Sequence, residues 1–290
     1  MINQQLNNSP NIIGISGKIN CGKDLVGKII QYLTTTNEYV LKNKPTFEDW
    51  MNNYSHHSNW EIKKFADSLK DIICILIGCT REQLEDREFK EKELGEEWWI
   101  KTITYIDGEK HTLMNPTSYE ELDIKSKYPI SCNIEIVKPT PRMLLQQIGT
   151  DLFRNQLHPN TWVNATMADY KIKYFISDVD ELGCEETATT KEFPVYPNWI
   201  ITDVRFPNEA YAIKDREGII IRIERNDYIF DENGKRIIPT KEYININDKQ
   251  HESETALDNY KFDYVINNNG TISNLVDKIK EILIKENKLL

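Results

Sequence analysis

Gly17, Gly22 and Lys23 stand at the spacing G-x-x-x-x-G-K within the segment Asn11–Asp24, NIIGISGKINCGKD. Residues of these types in this order can hold a polyphosphate. Glycines let successive backbone N–H groups turn toward one anion. A helix N-terminus adds partial positive charge, and the lysine reaches the β- and γ-phosphates. The apolar run Ile12 to Ile15 precedes the loop and a helical pattern follows it, the layout of buried strand, loop and helix start. An ordinary glycine turn is the competing reading. Lys18, Asn20 and Cys21 complete the loop, with Cys21 read as a small filler rather than a reactive thiol. Position 24 departs from the pattern. The Ser or Thr that usually follows the lysine and gives a hydroxyl to magnesium is Asp24 here, and Leu25 comes next.

Phosphoryl transfer needs few further parts: a carboxylate to place a metal, and cations around the moving group. Asp203 ends the apolar run Trp199–Asp203, so in a parallel sheet it would lie where ligands bind, beyond the carboxyl ends of the strands. Asp203 and Asp24 are therefore the metal candidates, with a turn or helix cap as the other reading of Asp203. Arg142 and Arg205 can clamp a phosphate in a bidentate way, or can form ordinary ion pairs.

The elements that must position these groups follow from periodicity. A helix is expected from Gly22 to about Leu33, a strand over Glu61–Ala66 and a helix over Asp67–Ile77. The region Thr34–Asn59, with His56 and His57, reads as a polar loop. Thr80 to Gln83 fits a capping box. Residues Ile103 to Leu113 read as a hairpin around an Asp-Gly turn, and 98–131 as an excursion from the core, either a cover over the site or a surface decoration.

Thr140-Pro141 starts a helix in which Leu144, Ile148 and Leu152 share one stripe and Arg142, Gln146 and Thr150 another. His158-Pro159 opens the next helix, with Trp162, Val163 and Met167. The segment 178–197 is acidic and reads as an irregular surface insertion. Strands are expected at Trp199–Asp203, Gly218–Ile223 and Phe262–Ile266, a hairpin at Tyr228–Ile238, and an amphipathic helix at Thr271–Lys285. Short apolar strands alternating with helices imply an α/β fold, a parallel sheet covered on both faces.

Composition narrows the function classes. The chain has 290 residues, 36 Lys and Arg against 46 Asp and Glu, and a formal net charge of −10. Such acidity disfavours nonspecific contact with nucleic acid or an anionic membrane, while a local basic site for a small anion remains compatible. Five cysteines without a C-x-x-C pair argue against a disulfide framework or zinc site. The polar start Met1 to Pro10 is not a signal peptide, and no apolar run approaches the ~20 residues that span a bilayer. A cytoplasmic location is expected.

Six segments in order resemble the deoxynucleoside monophosphate kinases of tailed bacteriophages: Gly14–Asp24, Phe65–Lys70 (FADSLK), Thr140–Asp151 (TPRMLLQQIGTD), Thr161–Val163, Asp203–Glu209 (DVRFPNE) and His251–Glu254 (HESE). The resemblance implies a P-loop kinase fold, with inserted lid or hairpin segments, in a single domain over residues 1–290. It implies transfer of the γ-phosphate of ATP, with Mg²⁺, to a deoxynucleoside 5′-monophosphate, with the donor on Gly17 to Asp24. It assigns Phe65, Asp67, Lys70, Arg142, Gln146, Gly149, Thr150 and Trp162 to the acceptor side, where Phe65 and Trp162 can equally be plain core. Family members commonly carry Thr where this chain has Leu25, and the resemblance does not cover 98–131 or 178–197. Two rivals stand beside it: a kinase of another small acceptor such as dephospho-coenzyme A, and a nucleotide-binding protein without turnover. A homodimer is open, since nothing in the sequence compels it.

Overall fold

Ile12, Ile13 and Ile15 are fully buried, and the run that carries them, Asn11–Gly17, is strand β1, the middle of a five-stranded sheet. The computed structural model describes residues 10–107, 109–128, 132–179, 189–225, 229–230, 236–237 and 252–289. The other central strands are β2 (Glu61–Lys63), β3 (Asn198–Val204), β4 (Ile219–Glu224) and β5 (Tyr264–Asn267). They lie in the order β2-β3-β1-β4-β5, all parallel. The three inner strands are buried on both faces, which is why β1, β3 and β4 carry isoleucine runs rather than an alternating pattern, while the edge strands β2 and β5 hold one isoleucine each. Each fully buried isoleucine contributes ~1.5–3 kcal/mol relative to exposure.

Ile13 and Ile15 share one apolar cluster with Val26, Ile29 and Ile30 of the helix Lys23–Leu33 and with Leu275, Ile279 and Leu283 of the helix Ile272–Lys285. Gly14 points the other way and packs against Ile213 of the helix Pro207–Lys214. The sheet is thus covered on both sides, a P-loop kinase-like α/β arrangement, as expected.

The chain divides into two compact units, Met1–Asp67 with Trp162–Leu290, and Ser68–Thr161. The first holds the central sheet and an antiparallel pair, Lys173–Val179 with Thr189–Val195. The second holds the antiparallel sheet of Lys110–Met114, Ile100–Ile106 and Asn133–Val137 in that order, with helices around it.

Several expectations change. Thr34–Asn59 is helical rather than loop, with helices Glu38–Asn43 and Phe47–Asn53 that bury Val40 and Trp50; polar faces hid two single apolar anchors. The segment 178–197 contributes strand residues to the Lys173–Val179 and Thr189–Val195 ladder, and its residues 180–188 lie outside the described ones. The hairpin of 103–113 is present and gains a third strand, Asn133–Val137, beyond the boundary read at 131. Its turn residue Gly108, the turn 231–235 of the second hairpin and the polar start 1–9 lie outside the described residues.

The helix begun at Thr140-Pro141 is α-helical only over Pro141–Gln146 and continues as a π-helix over Gln147–Leu157. Hydrogen bonds to i+5 widen the turn. The stripe predicted at four-residue spacing therefore breaks: Leu144 is buried, and Leu152 is 48% exposed.

Candidate active site

The loop leaves the carboxyl end of β1 and runs into the helix Lys23–Leu33. Gly22 caps that helix at φ 100°, a left-handed conformation that glycine adopts without the cost a side chain would bring. At Gly17 an added Cβ would stand 2.6 Å from the carbonyl oxygen of Ile223 on β4, so backbone approach excludes a side chain. Lys23 Nζ donates to the carbonyls of Gly17 at 2.7 Å and Lys18 at 2.8 Å. Burial lowers its pKa, and Arg205 lowers it further, against the opposing pull of Cys21, Glu254 and Asp24. Cys21 is buried, and burial pushes its thiol upward, which fits a filler. Asn20 takes φ 61°, a left-handed turn residue.

Residues that come after β3 in the sequence hold this loop. Asn268 Nδ2, just past β5, donates to the Cys21 carbonyl at 2.9 Å. Arg222 Nη1 on β4 donates to Ser16 Oγ at 3.2 Å. The Ile19 N–H donates to Glu254 Oε2 at 3.1 Å.

Asp24 lies in the first helical turn. Its Oδ1 accepts from Thr202 Oγ1 at 2.8 Å and pairs with Lys64 Nζ at 3.0 Å. Its side chain is 70% exposed; desolvation beside the loop pushes its pKa up, the hydrogen bonds from Thr202 and Lys64 and the charges of Lys64 and Lys23 outweigh this, and the net direction is down. A hydroxyl from β3, that of Thr202, thus lies against the carboxylate at position 24.

Asp203, one residue on, receives the Phe65 N–H on Oδ1 at 2.8 Å and the Ala66 N–H on Oδ2 at 3.0 Å. The Lys64 N–H donates to Asp67 Oδ2 at 3.0 Å. Three carboxylates read from the sequence as metal or acceptor groups therefore converge on the connection Lys64–Asp67 that follows β2. Arg205 is fixed at both ends: Glu209 accepts its backbone N–H at 2.7 Å, and its guanidinium meets Glu254 and donates to Ser253 Oγ at 3.3 Å.

Phe65 and Trp162 are buried in the first unit. Lys70, Arg142, Gln146, Gly149 and Thr150 belong to the second. There Lys70 pairs with Glu85, Arg142 pairs with Glu91, and Gln146 is exposed. Gly149 is packed so closely that an added Cβ would meet Leu69 Cδ2 at 2.6 Å. The structure thus gathers the donor-side residues in one place and divides the acceptor-side residues between the two units.

Among the described residues no group of three or more His, Cys, Asp and Glu side chains forms a metal cluster. Magnesium in kinase sites needs only one or two carboxylates beside substrate phosphates and water. Asp24, ionised and close to the Thr202 hydroxyl, fits that demand. A cavity of about 530 Å³ lined by Glu61, Lys63, Lys171 and Trp199 opens at the amino ends of β2 and β3, away from the loop.

Lys64 and Thr202 were missed in the sequence. Thr202 had a signal, one residue before Asp203 on the same strand; Lys64 had none until the strand order set β2 beside β3.

The family model of deoxynucleotide monophosphate kinases matches residues 11–279, from β1 into the C-terminal helix. The chain belongs to the deoxynucleotide monophosphate kinase family. It is therefore a kinase, a phosphotransferase of nucleotide metabolism. It is also 24% identical over 263 residues to the deoxynucleoside-5′-monophosphate kinase of Escherichia phage T5, covering 85% of this chain and 84% of that one. No helix among the described residues is long and apolar enough to cross a membrane.

Proposed function

We propose that this kinase transfers the γ-phosphate of ATP to the 5′-phosphate of deoxynucleoside monophosphates, yielding diphosphates for DNA synthesis. The observation that carries the reading is the glycine loop at the carboxyl end of the central strand, with Lys23 inside it and Asp203 and Arg205 at the end of the neighbouring strand. Family membership supports the acceptor class.

In this account the loop N–H groups and Lys23 hold the donor phosphates. On binding, Lys23 exchanges its two carbonyl partners for phosphate oxygens. Asp24 and Asp203 are the residues that would hold Mg²⁺, and the ion would supply neutralising charge to the donor phosphates. The acceptor's phosphate oxygen attacks in line, so no protein nucleophile is needed. Arg205 stabilises charge on the moving group, and Arg142 is assigned to clamping the acceptor's phosphate. Phe65, Asp67, Lys70, Gln146, Gly149, Thr150 and Trp162 are assigned to the acceptor. Substrate nucleotide is the partner, with neither membrane nor nucleic acid required, and the reaction is placed in the cytoplasm.

The test is incubation with ATP, Mg²⁺ and each common deoxy- and ribonucleoside monophosphate, following ADP and diphosphate. Diphosphate from one or more deoxynucleotides is the expected result. ADP without an acceptor product, or no ADP at all, would overturn the reading.

A further inference from the structure

Glu254 sits in the short helix Glu252–Thr255, 235 residues along the chain from Ile19. Its two carboxylate oxygens have separate partners. Oε2 accepts the Ile19 N–H of the donor loop at 3.1 Å, and Oε1 meets Arg205 Nη1. Ser253 Oγ accepts from the same Nη1 at 3.3 Å. The Glu254 side chain is only 16% exposed, against 33% for Arg205. We propose that Glu254 is a positioning residue for phosphoryl transfer, tying the Arg205 guanidinium to the donor loop so that this cation stands where the transferred group gathers charge. The inference rests on the kinase reading above and adds the group that aims its arginine.

Two observations separate this role from simpler ones. A carboxylate that merely stood in for phosphate would accept from Lys23; the charge of Glu254 is felt at Lys23, yet Lys23 Nζ donates to the Gly17 and Lys18 carbonyls instead. A casual surface pair leaves its arginine otherwise loose and contributes little. Here Glu209 also holds the Arg205 backbone N–H, so the residue is fixed at both ends. A guanidinium carries five N–H donors in a rigid fork. Engaging those of Nη1 fixes the direction in which the rest point. Geometry of this kind decides rate, because a misplacement of about 1 Å costs up to about 100-fold.

The experiment compares full-length wild type with Glu254→Ala, Glu254→Gln, Arg205→Ala and the double variant Arg205→Ala/Glu254→Ala. Steady-state transfer is measured with ATP, Mg²⁺ and an accepted deoxynucleotide. Glu254→Ala is expected to lower kcat by about 10- to 100-fold, the loss a misplaced catalytic group brings, with both KM values within about twofold. Glu254→Gln, which keeps the shape and an oxygen acceptor, should recover part of the rate. The double variant should be no slower than Arg205→Ala alone. Unchanged kcat in Glu254→Ala, a double variant slowed by the product of the single effects, or a lower KM for ATP at unchanged kcat would each overturn the proposal.

A readout without turnover keeps this separate from the kinase assignment. The ¹⁵N guanidinium resonance that disappears in Arg205→Ala should be that of an immobilised side chain in wild type and averaged in Glu254→Ala. Averaging already in wild type would overturn the anchor. Absence of any transfer by wild type would instead sink the kinase reading, while the resonance still decides the anchor.

Discussion

The loop region of the first unit and the charged faces of the second are built differently. Around the loop, the candidate groups are tied to backbone or to nearly buried partners. Asp203 takes two backbone N–H groups, Glu209 holds the Arg205 N–H, and Asn268 holds the Cys21 carbonyl. In the second unit, Lys70 and Arg142 pair with the carboxylates of Glu85 and Glu91, which are 46% and 54% exposed. Exposed pairs of this kind are worth at most about 1 kcal/mol and exchange readily. The difference teaches where selectivity can be tuned. The geometry of the proposed donor loop is fixed by strand ends and close backbone approach, so few substitutions should leave it intact. Of the second unit's cations, Arg142 is the more exposed, at 37% against 14% for Lys70, and is the one whose pair would part for an anionic ligand at small cost.

The largest effect should come from Lys23→Ala, a loss of about 10³-fold in kcat, since the charge it supplies acts within a preorganised site. An unchanged circular dichroism spectrum would show that the fold survives; full activity would break the donor assignment. Next, Arg205→Ala should lower kcat by about 10²-fold, whereas Arg142→Ala should act mainly by raising the deoxynucleotide KM about tenfold, as removal of uniform binding does. Equal kcat losses would erase the contrast between fixed and exchangeable cations.

Glycine substitutions sharpen the same comparison through stability. Gly22→Ala forces a side chain into φ 100° and should cost about 1–2 kcal/mol in chemical denaturation, together with weaker ATP binding. Gly149→Ala meets only the flexible end of Leu69 and gains helix propensity, so it should stay within about 1 kcal/mol of wild type.

The smallest effect concerns Asp24. Its folded pKa lies below the ordinary carboxylate value, so its contribution to stability is fully present above about pH 4 and is lost as pH falls through the depressed value. Lys64→Met removes one cause of the depression. The acid limb of a thermal-shift profile should then move to higher pH; an unmoved limb would mean that Lys64 does not hold Asp24.

The central sheet and the glycine loop were legible in the sequence because the inner strands are short isoleucine runs and Gly17, Gly22 and Lys23 keep the phosphate-loop spacing between a strand and a helix start. Gly22 and Lys23 needed no partner to be recognised. Lys64 and Thr202 became visible only through strand order, because β2 and β3 are separated by 134 residues of sequence. The helices Glu38–Asn43 and Phe47–Asn53 were illegible because one buried residue each, Val40 and Trp50, leaves no periodic stripe. The π-helix Gln147–Leu157 defeated a four-residue spacing that had read correctly up to Gln146. The partner of Arg142, Glu91, lies 51 residues away on an exposed surface, where no pattern in the sequence announces it.

The path of one phosphate decides between transfer and mere binding. ATP labelled with ³²P at the γ-position, Mg²⁺ and a single deoxynucleoside monophosphate would be incubated with wild type and with Lys23→Ala, and the products resolved by chromatography. Label arriving in the deoxynucleoside diphosphate with wild type, and absent with the variant, is the predicted result. Label released only as inorganic phosphate, or transferred equally by both proteins, would contradict it.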